Sequence, residues 1–265
     1  MRLTINDKSK IDLLVALFQL FKNCSVVVKL EFTSNNLIIQ GMDKSHICLF
    51  LTNIKSTWFT VYSFVENVSF IIDNATILSI LTRILENQLL IIEYNSQNET
   101  LDLEVLNNLS SKNDKKKEEK VEYNRYFQIP LIDLELENYN IPEVSYDAEF
   151  SINSKQLNEL MSQLILFGDT LNIVCNEDEI YLETNGDCGK MKVEIPIDSL
   201  NEFSISEGEK MEISFSLQNL FKMTMSTKLS KDIEIGIRND YPIRIKYDLG
   251  DNSYSVFFIA PKVIN

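Results

Sequence analysis

Residues 149–184 read EFSINSKQLNELMSQLILFGDTLNIVCNEDEIYLET, and the order of elements in that stretch decides the fold. Glu149-Phe150-Ser151-Ile152 alternates as a strand does. Asn153 or Ser154 can cap a helix running to about Phe167, and Gly168-Asp169 ends it. Leu171 to Cys175 is a strand, Asn176 to Glu179 a turn, and Ile180 to Thr184 the next strand. The start of the chain repeats this order. Leu3-Thr4-Ile5 alternates, Asp7 or Ser9 caps a helix to about Lys22, Val26 to Phe32 is strand-like, Ser34-Asn35-Asn36 turns, and Leu37 begins another strand. Even the helix entries correspond, Ile5-Asn6-Asp7 against Ile152-Asn153-Ser154.

A second helix follows in each half, one over about Asn74 to Asn87 and one over about Leu217 to Thr227. Strands such as Val68 to Ile72, Leu89 to Tyr94, Ile233 to Ile237 and Ser253 to Ile259 surround them. The chain therefore reads as a degenerate duplication of class α+β: two tandem domains, each of antiparallel sheets with two helices. The expected division is 1–130, a connector over 131–142, and 143–265. The connector is acidic and apolar without glycine, hence extended. Residues 110–120, SSKNDKKKEEK, stand outside the pattern. They read as a solvated hairpin tip, with contact to DNA or a partner as the other reading.

Composition agrees. A chain of 265 residues with 45% apolar and 24% charged residues is long enough for two globular domains, and its 7 glycines and 5 prolines leave little for flexible linkers. The apolar run Leu13–Phe21 is interrupted at Gln19 and too short for a bilayer, so neither a signal peptide nor a membrane span is expected. Four cysteines without a C-x-x-C pair, and a single histidine, give no structural zinc set; they read as reduced and mostly buried. Most triads and dyads need a histidine, and His46 sits beside a strand with no partner pattern. No phosphate-cradling glycine motif occurs. No cofactor, metal or catalytic residue is expected. A carboxylate-dependent metal hydrolase is the distant rival. The abundance of Asn, Ile and Lys points to an AT-rich genome, eukaryotic or viral.

Four segments resemble one family. Leu37 to Ile47, with Gln40-Gly41-Met42-Asp43-Lys44-Ser45-His46, resembles the "LQ-MD-SH" segment of the sliding clamps of eukaryotes, archaea and large DNA viruses, the proliferating cell nuclear antigen family. Leu131 to Pro142 resembles its interdomain connecting loop, Phe167-Gly168-Asp169 the end of a second-domain helix, and Phe257 to Lys262 the C-terminal "YYLAPK". The resemblance implies a non-enzymatic ring of three copies that encircles duplex DNA without sequence preference and tethers polymerase and other proteins bearing clamp-binding peptide motifs, after placement by a clamp loader. The nucleus, or a viral replication compartment, is the implied location. A clamp-fold checkpoint subunit or viral transcription accessory factor is the nearer alternative.

The same resemblance assigns residues. Subunits join through edge strands, here Tyr123 to Ile129 and Met191 to Ile195, with Phe127, Ile129, Met191, Val193 and Ile195 in the seam. The partner-peptide pocket maps onto Met42, His46, Ile47, Leu49, Tyr139, Ile141, Pro242, Phe258, Ala260, Pro261 and Val263. A lysine that eukaryotic members modify falls on Glu177. The helices face DNA through Lys8, Lys22, Arg83, Lys155 and Lys222. Those five cations meet three anions on the same helical faces, Asp12, Glu86 and Glu159, whereas the whole chain carries -14. The helical face is thus relatively positive, the separation an acidic clamp needs.

Overall fold

The computed structural model describes residues 1–95, 99–108, 123–135, 139, 141, 144–208 and 210–262. Two compact units form: Met1–Gln40 with Thr52–Glu137 and Gly250–Ser253, and Gly41–Leu51 with Asn138–Leu249 and Tyr254–Asn265. Neither unit is a simple half of the chain; each includes a short piece from the far side of the sequence.

The duplication is visible element by element. The first series runs β1 (Arg2–Ile5), α1 (Lys8–Cys24), β2 (Val27–Phe32), β3 (Asn36–Met42), β4 (Cys48–Lys55), β5 (Val61–Ser63), β6 (Val68–Asp73), α2 (Asn74–Leu81), β7 (Gln88–Asn95), β8 (Thr100–Asn107) and β9 (Arg125–Pro130). The second runs β10 (Ala148–Asn153), α3 (Ser154–Leu164), β11 (Thr170–Cys175), β12 (Ile180–Gly186), β13 (Gly189–Ile195), β14 (Glu202–Ile205), β15 (Met211–Ser216), α4 (Leu217–Thr224), β16 (Asp232–Ile237), β17 (Ile243–Gly250) and β18 (Ser253–Ile259).

In the first unit an antiparallel sheet has the order β5-β1-β7-β8-β9, and β3-β2-β6 pair beside it. In the second unit the corresponding sheets are β14-β10-β16-β17 and β13-β12-β11-β15. The strands alternate, and the helices cover the apolar side. Leu30, Leu90, Leu103, Ile173 and Ile235 point inward and are buried. Helix α1 sinks Ile11, Leu14, Leu17, Phe18 and Phe21 into this layer and packs on α2; α3 packs on α4 in the same way.

Each helix starts on a side-chain cap, and for the first helix of each half it is one of the two residues the sequence offered. Asp7 accepts from the Ser9 amide at 2.9 Å, Asp73 from Thr76 at 2.7 Å, Asn153 from Lys155 at 3.1 Å, and Ser216 from Asn219 at 3.4 Å. Three helices end earlier than the sequence suggests. After Leu164 the chain tightens, with Leu166 donating to Gln163 and Phe167 to Leu164, bonds of 3-10 type rather than α. Gly168 and Gly186 explain why: a Cβ on Gly186 would lie 2.4 Å from the Phe167 carbonyl oxygen, so the chain must leave the helix to pass the end of β12. Helix α2 stops at Leu81 because Ile84 donates to the Leu81 carbonyl at 3.2 Å and the Leu85 amide donates to the Gln88 side chain at 3.2 Å. Helix α4 stops at Thr224, whose hydroxyl bonds the Leu220 carbonyl at 2.9 Å.

Helix α4 is fastened to the sheet beneath it by one buried polar contact. The Tyr247 hydroxyl, on β17, donates to the Met223 carbonyl at 2.7 Å. Tyr247 is wholly buried, and its ring meets Phe257 edge-on at 6.1 Å. Removing the hydroxyl leaves that carbonyl desolvated without a donor. Tyr247→Phe should therefore cost about 1–3 kcal/mol in urea unfolding, whereas Tyr254→Phe, half-buried on β18, should be close to neutral.

Candidate functional site

The peptide-pocket residues begin at the end of β3. Gly41 is required there, because a Cβ would come within 2.5 Å of the Phe50 ring. Phe50 in turn stacks at a tilt on Phe257, 6.0 Å between centroids. The chain then turns over residues 43–47, and Asp43 organises the turn. Its amide donates to the Cys48 carbonyl at 2.9 Å, and its carboxylate accepts from the amides of Ile47 at 2.8 Å and Cys48 at 2.7 Å and from the Ser45 hydroxyl. Burial alone would raise the Asp43 carboxyl, but the hydrogen bonds from Ser45, Cys48 and Ile47 outweigh it and hold the group below its ordinary value of 3.8. His46 takes a left-handed backbone, φ 58°, which leaves its side chain exposed.

This turn is tied to the C-terminal tail: the Ala260 amide donates to the Ile47 carbonyl at 2.9 Å. Met42, Leu49, Tyr139, Ile141, Pro242, Ala260 and Pro261 are half-buried, and Ile47 is 37% exposed. All lie in the second unit. Phe258 is nearly covered, at 9%, and so serves as a floor rather than an open contact. Val263 lies outside the described residues. Sequence reasoning missed Asp43 as the turn's organiser. An aspartate just past a strand with a serine two residues on is the signature of such a turn, and could have found it.

The two strands assigned to the seam are both sheet edges, β9 at the end of one sheet and β13 at the end of another. On each, one side faces inward: Arg125, Phe127 and Ile129, and Met191, Val193 and Ile195. Ile129 and Ile195 are buried, at 2% and 4%, so their side chains pack into their own cores while their backbones lie on the sheet edges. The register explains this for Ile129, which sits opposite buried Leu101. Phe127, Met191 and Val193 remain partly exposed. Arg125 is engaged within its unit, donating to the Arg83 carbonyl at 2.8 Å and the Gln88 side chain at 2.7 Å. On the outer side of β13, Lys190 and Lys192 pair with Glu183 at 2.9 and 3.3 Å, and Lys192 stands 3.4 Å over the Tyr181 ring.

The helical cations are unequal. Lys22, Arg83 and Lys155 are exposed, and Lys222 is half-buried. Lys8 is half-buried and paired with Asp12 at 2.5 Å, so its charge is neutralised locally. Arg83 and Glu86 lie in the turn past α2, not on the helix. Lys10 is turned inward, bonded to the Trp58 carbonyl at 2.7 Å and to Asp251 at 2.9 Å. Glu177, at the position of the modified lysine, accepts from the Gly208 amide at 2.7 Å. The lysines at 115–117 lie outside the described residues.

The chain matches the family model "Proliferating cell nuclear antigen, N-terminal domain" over residues 7–138 and the corresponding C-terminal-domain model over residues 140–262. Among curated relatives it is 24% identical over 238 residues to proliferating cell nuclear antigen of Chaetomium thermophilum, covering 88% of each chain. It is 27% identical over 256 residues to proliferating cell nuclear antigen 2 of Plasmodium falciparum, covering 93% of this chain and 94% of that one. It is 25% identical over 250 residues to a probable DNA polymerase sliding clamp of Paramecium bursaria Chlorella virus 1, covering 93% and 86%. A chain of the Sulfolobus tokodaii PCNA2–PCNA3 complex superimposes with a TM-score of 0.83 at 19% identity, over 99% of both chains, which shows a shared fold.

Asp43 gives a pH signature. A carboxyl held below its ordinary value in the folded chain contributes stability that is complete above 3.8 and is lost as the pH falls through the lowered value. Asp43→Ala should cost about 1–2 kcal/mol at neutral pH, and the difference from the parent should shrink as the pH drops below about 4. Urea midpoints measured between neutral and strongly acidic pH check both.

Proposed function

The chain belongs to the proliferating cell nuclear antigen family, and on that premise we propose which of its surfaces carry out the work of a DNA sliding clamp. It is a processivity factor and a scaffold, not an enzyme. Its contribution is topological: a closed ring stays on the duplex while its partners work. The nearer and distant alternatives read from the sequence receive no support from the relatives.

Three identical copies close head to tail, each contributing β9 on one side and β13 on the other. Heterologous contacts of this kind form a ring when the rotation closes. The observation that supports this reading is that β9 in one unit and β13 in the other are both sheet edges, with Phe127, Met191 and Val193 incompletely covered beside them. A long open edge with apolar neighbours invites pairing, and a second copy supplies it. Residues 131–142 serve as the connector between domains 1–130 and 143–265. The helices face the duplex through Lys22, Arg83, Lys155 and Lys222, with Lys8 largely spent on Asp12. Phosphate contacts of this sort carry no sequence information, which suits sliding. Clients with aliphatic and aromatic anchors, the polymerase among them, dock at the turn and tail around Ile47, Tyr139, Ile141 and Ala260. A loader opens or places the ring, in the nucleus or a viral replication compartment. Glu177 cannot be conjugated through a lysine amine, so modification-based switching at that position is absent.

Two measurements test this. Phe127→Asp or Val193→Glu places a charge where a neighbour should desolvate it. Either should convert a ring-sized species into folded single chains in sedimentation; unchanged sedimentation sinks the seam. Separately, replacing Lys22, Arg83, Lys155 and Lys222 with alanine should leave the ring mass intact and flatten the salt dependence of duplex binding, since each phosphate contact contributes a slope of about 0.9. A slope equal to the parent's would move DNA contact elsewhere, with Lys115, Lys116 and Lys117 next.

A further inference from the structure

The C-terminal tail is held at two points. At its start, the Ala260 amide donates to the Ile47 carbonyl at 2.9 Å. At Lys262 the hold is on different structure. The Lys262 amide donates to the Ser214 carbonyl of β15 at 2.7 Å, and its ammonium donates to the Thr170 hydroxyl at 2.6 Å and lies 3.5 Å from the Asp169 carbonyl. Between the two holds lies only Pro261. Proline offers no amide donor, so this stretch has no means of fixing itself, and its position is set from its ends.

The anchor at the far end is well founded. Asp169 and Thr170 form the junction between α3 and β11, and the Asp169 carbonyl also accepts from the Leu217 amide, the first residue of α4, at 3.0 Å. Thr170 pairs with Ser216 in the β11–β15 ladder. The ammonium thus grips a point fixed by two helices and a sheet. A long, flexible, exposed lysine side chain loses freedom in making such contacts, and the alignment of three separate bonds on one residue is what a strap requires.

We infer that Lys262 is a positioning residue for the client pocket: it straps the Ala260–Pro261 wall to the α3–β11 junction. This rests on the pocket assigned above. It predicts that binding of a client peptide depends on a side chain that need not touch the peptide.

The probe is a synthetic peptide with a glutamine, an aliphatic residue and two aromatics, titrated into the intact ring. Lys262→Ala and Thr170→Val should each weaken it by about three- to tenfold, the worth of a partly exposed charge-assisted bond. The double variant should be no weaker than either single one, because both remove the same contact. Lys262→Arg, which still donates to Thr170, should stay within about twofold of the parent. Ring mass should not change in any variant. Binding unaffected by Lys262→Ala overturns the strap. So does a double variant whose loss is the product of the two single losses, since Lys262 would then be acting on the peptide directly. Tyr139→Ala separates this from the pocket reading: if it binds like the parent, the pocket lies elsewhere. In that event the strap is judged without peptide, by amide exchange at residues 260 and 262. Faster exchange in Lys262→Ala and Thr170→Val upholds it, and unchanged exchange overturns it.

Discussion

An unpaired strand edge is the constraint on which the proposed ring depends. Among the described residues, β9 and β13 pair with another strand on one side only, and water or another strand must satisfy the other. Most proteins blunt such edges. Here the inward positions next to them carry Phe127, Met191 and Val193, which a single chain covers only in part. The same strands also hold Ile129 and Ile195 firmly in their own cores. Each edge is therefore rigid at one end and unfinished along the rest, a geometry that favours a defined register over indiscriminate pairing.

The second constraint is electrostatic. A chain of net charge -14 must hold a polyanion. On the outer sheet faces many charges are matched across strands: Arg244 with Glu149 at 2.5 Å, Lys246 with Glu234 at 2.8 Å, and Lys190 and Lys192 with Glu183. Exposed pairs of this kind add little stability. They do keep lysines off the outer face from acting as free cations. On the helices the surplus is small, and much of the exposed surface is uncharged: Ser79, Thr82, Gln156, Ser162, Gln163 and Gln218. Such a lining repels phosphate weakly and grips it weakly. Retention then falls to ring closure, which makes the edges more important still.

Much of the scaffold was legible in the sequence, because the signals that set it are local. Strand alternation and a polar cap ahead of the first helix appear in both halves in the same order, and the repeat supports each reading. What escaped was set by tertiary contact. The length of α3 depends on the close approach of Gly186 to the Phe167 carbonyl, so close that a Cβ on Gly186 would lie 2.4 Å from that oxygen, a contact between residues far apart in sequence. That the Ile129 side chain packs into its own core was not readable, because an edge strand shows its alternation but not which side its own sheet covers. Lys8 looked like a free cation because a helical wheel places Asp12 on the same face without showing that the two side chains meet. The role of Asp43 was readable from turn chemistry. That of Lys262 was not, since nothing in Ala260-Pro261-Lys262 announces Thr170 as a partner.

The two repeats are alike in their scaffold and differ at the segments proposed to receive partners. Sheets, helices and caps correspond from β1 to β9 and from β10 to β18. The Asp43 turn between β3 and β4 is longer than the β12–β13 turn in the same place of the second series, and the connector after β9 and the C-terminal tail after β18 differ in sequence. A duplicated scaffold must supply one edge of each kind per chain, or the ring cannot propagate around its axis. Its repeated parts are thereby fixed by closure. Segments between the repeated strands are free of that demand and can take residues such as Tyr139 without disturbing the scaffold. Separating closure from recognition in this way lets the pocket diverge toward its own clients while the topology that holds DNA stays constant.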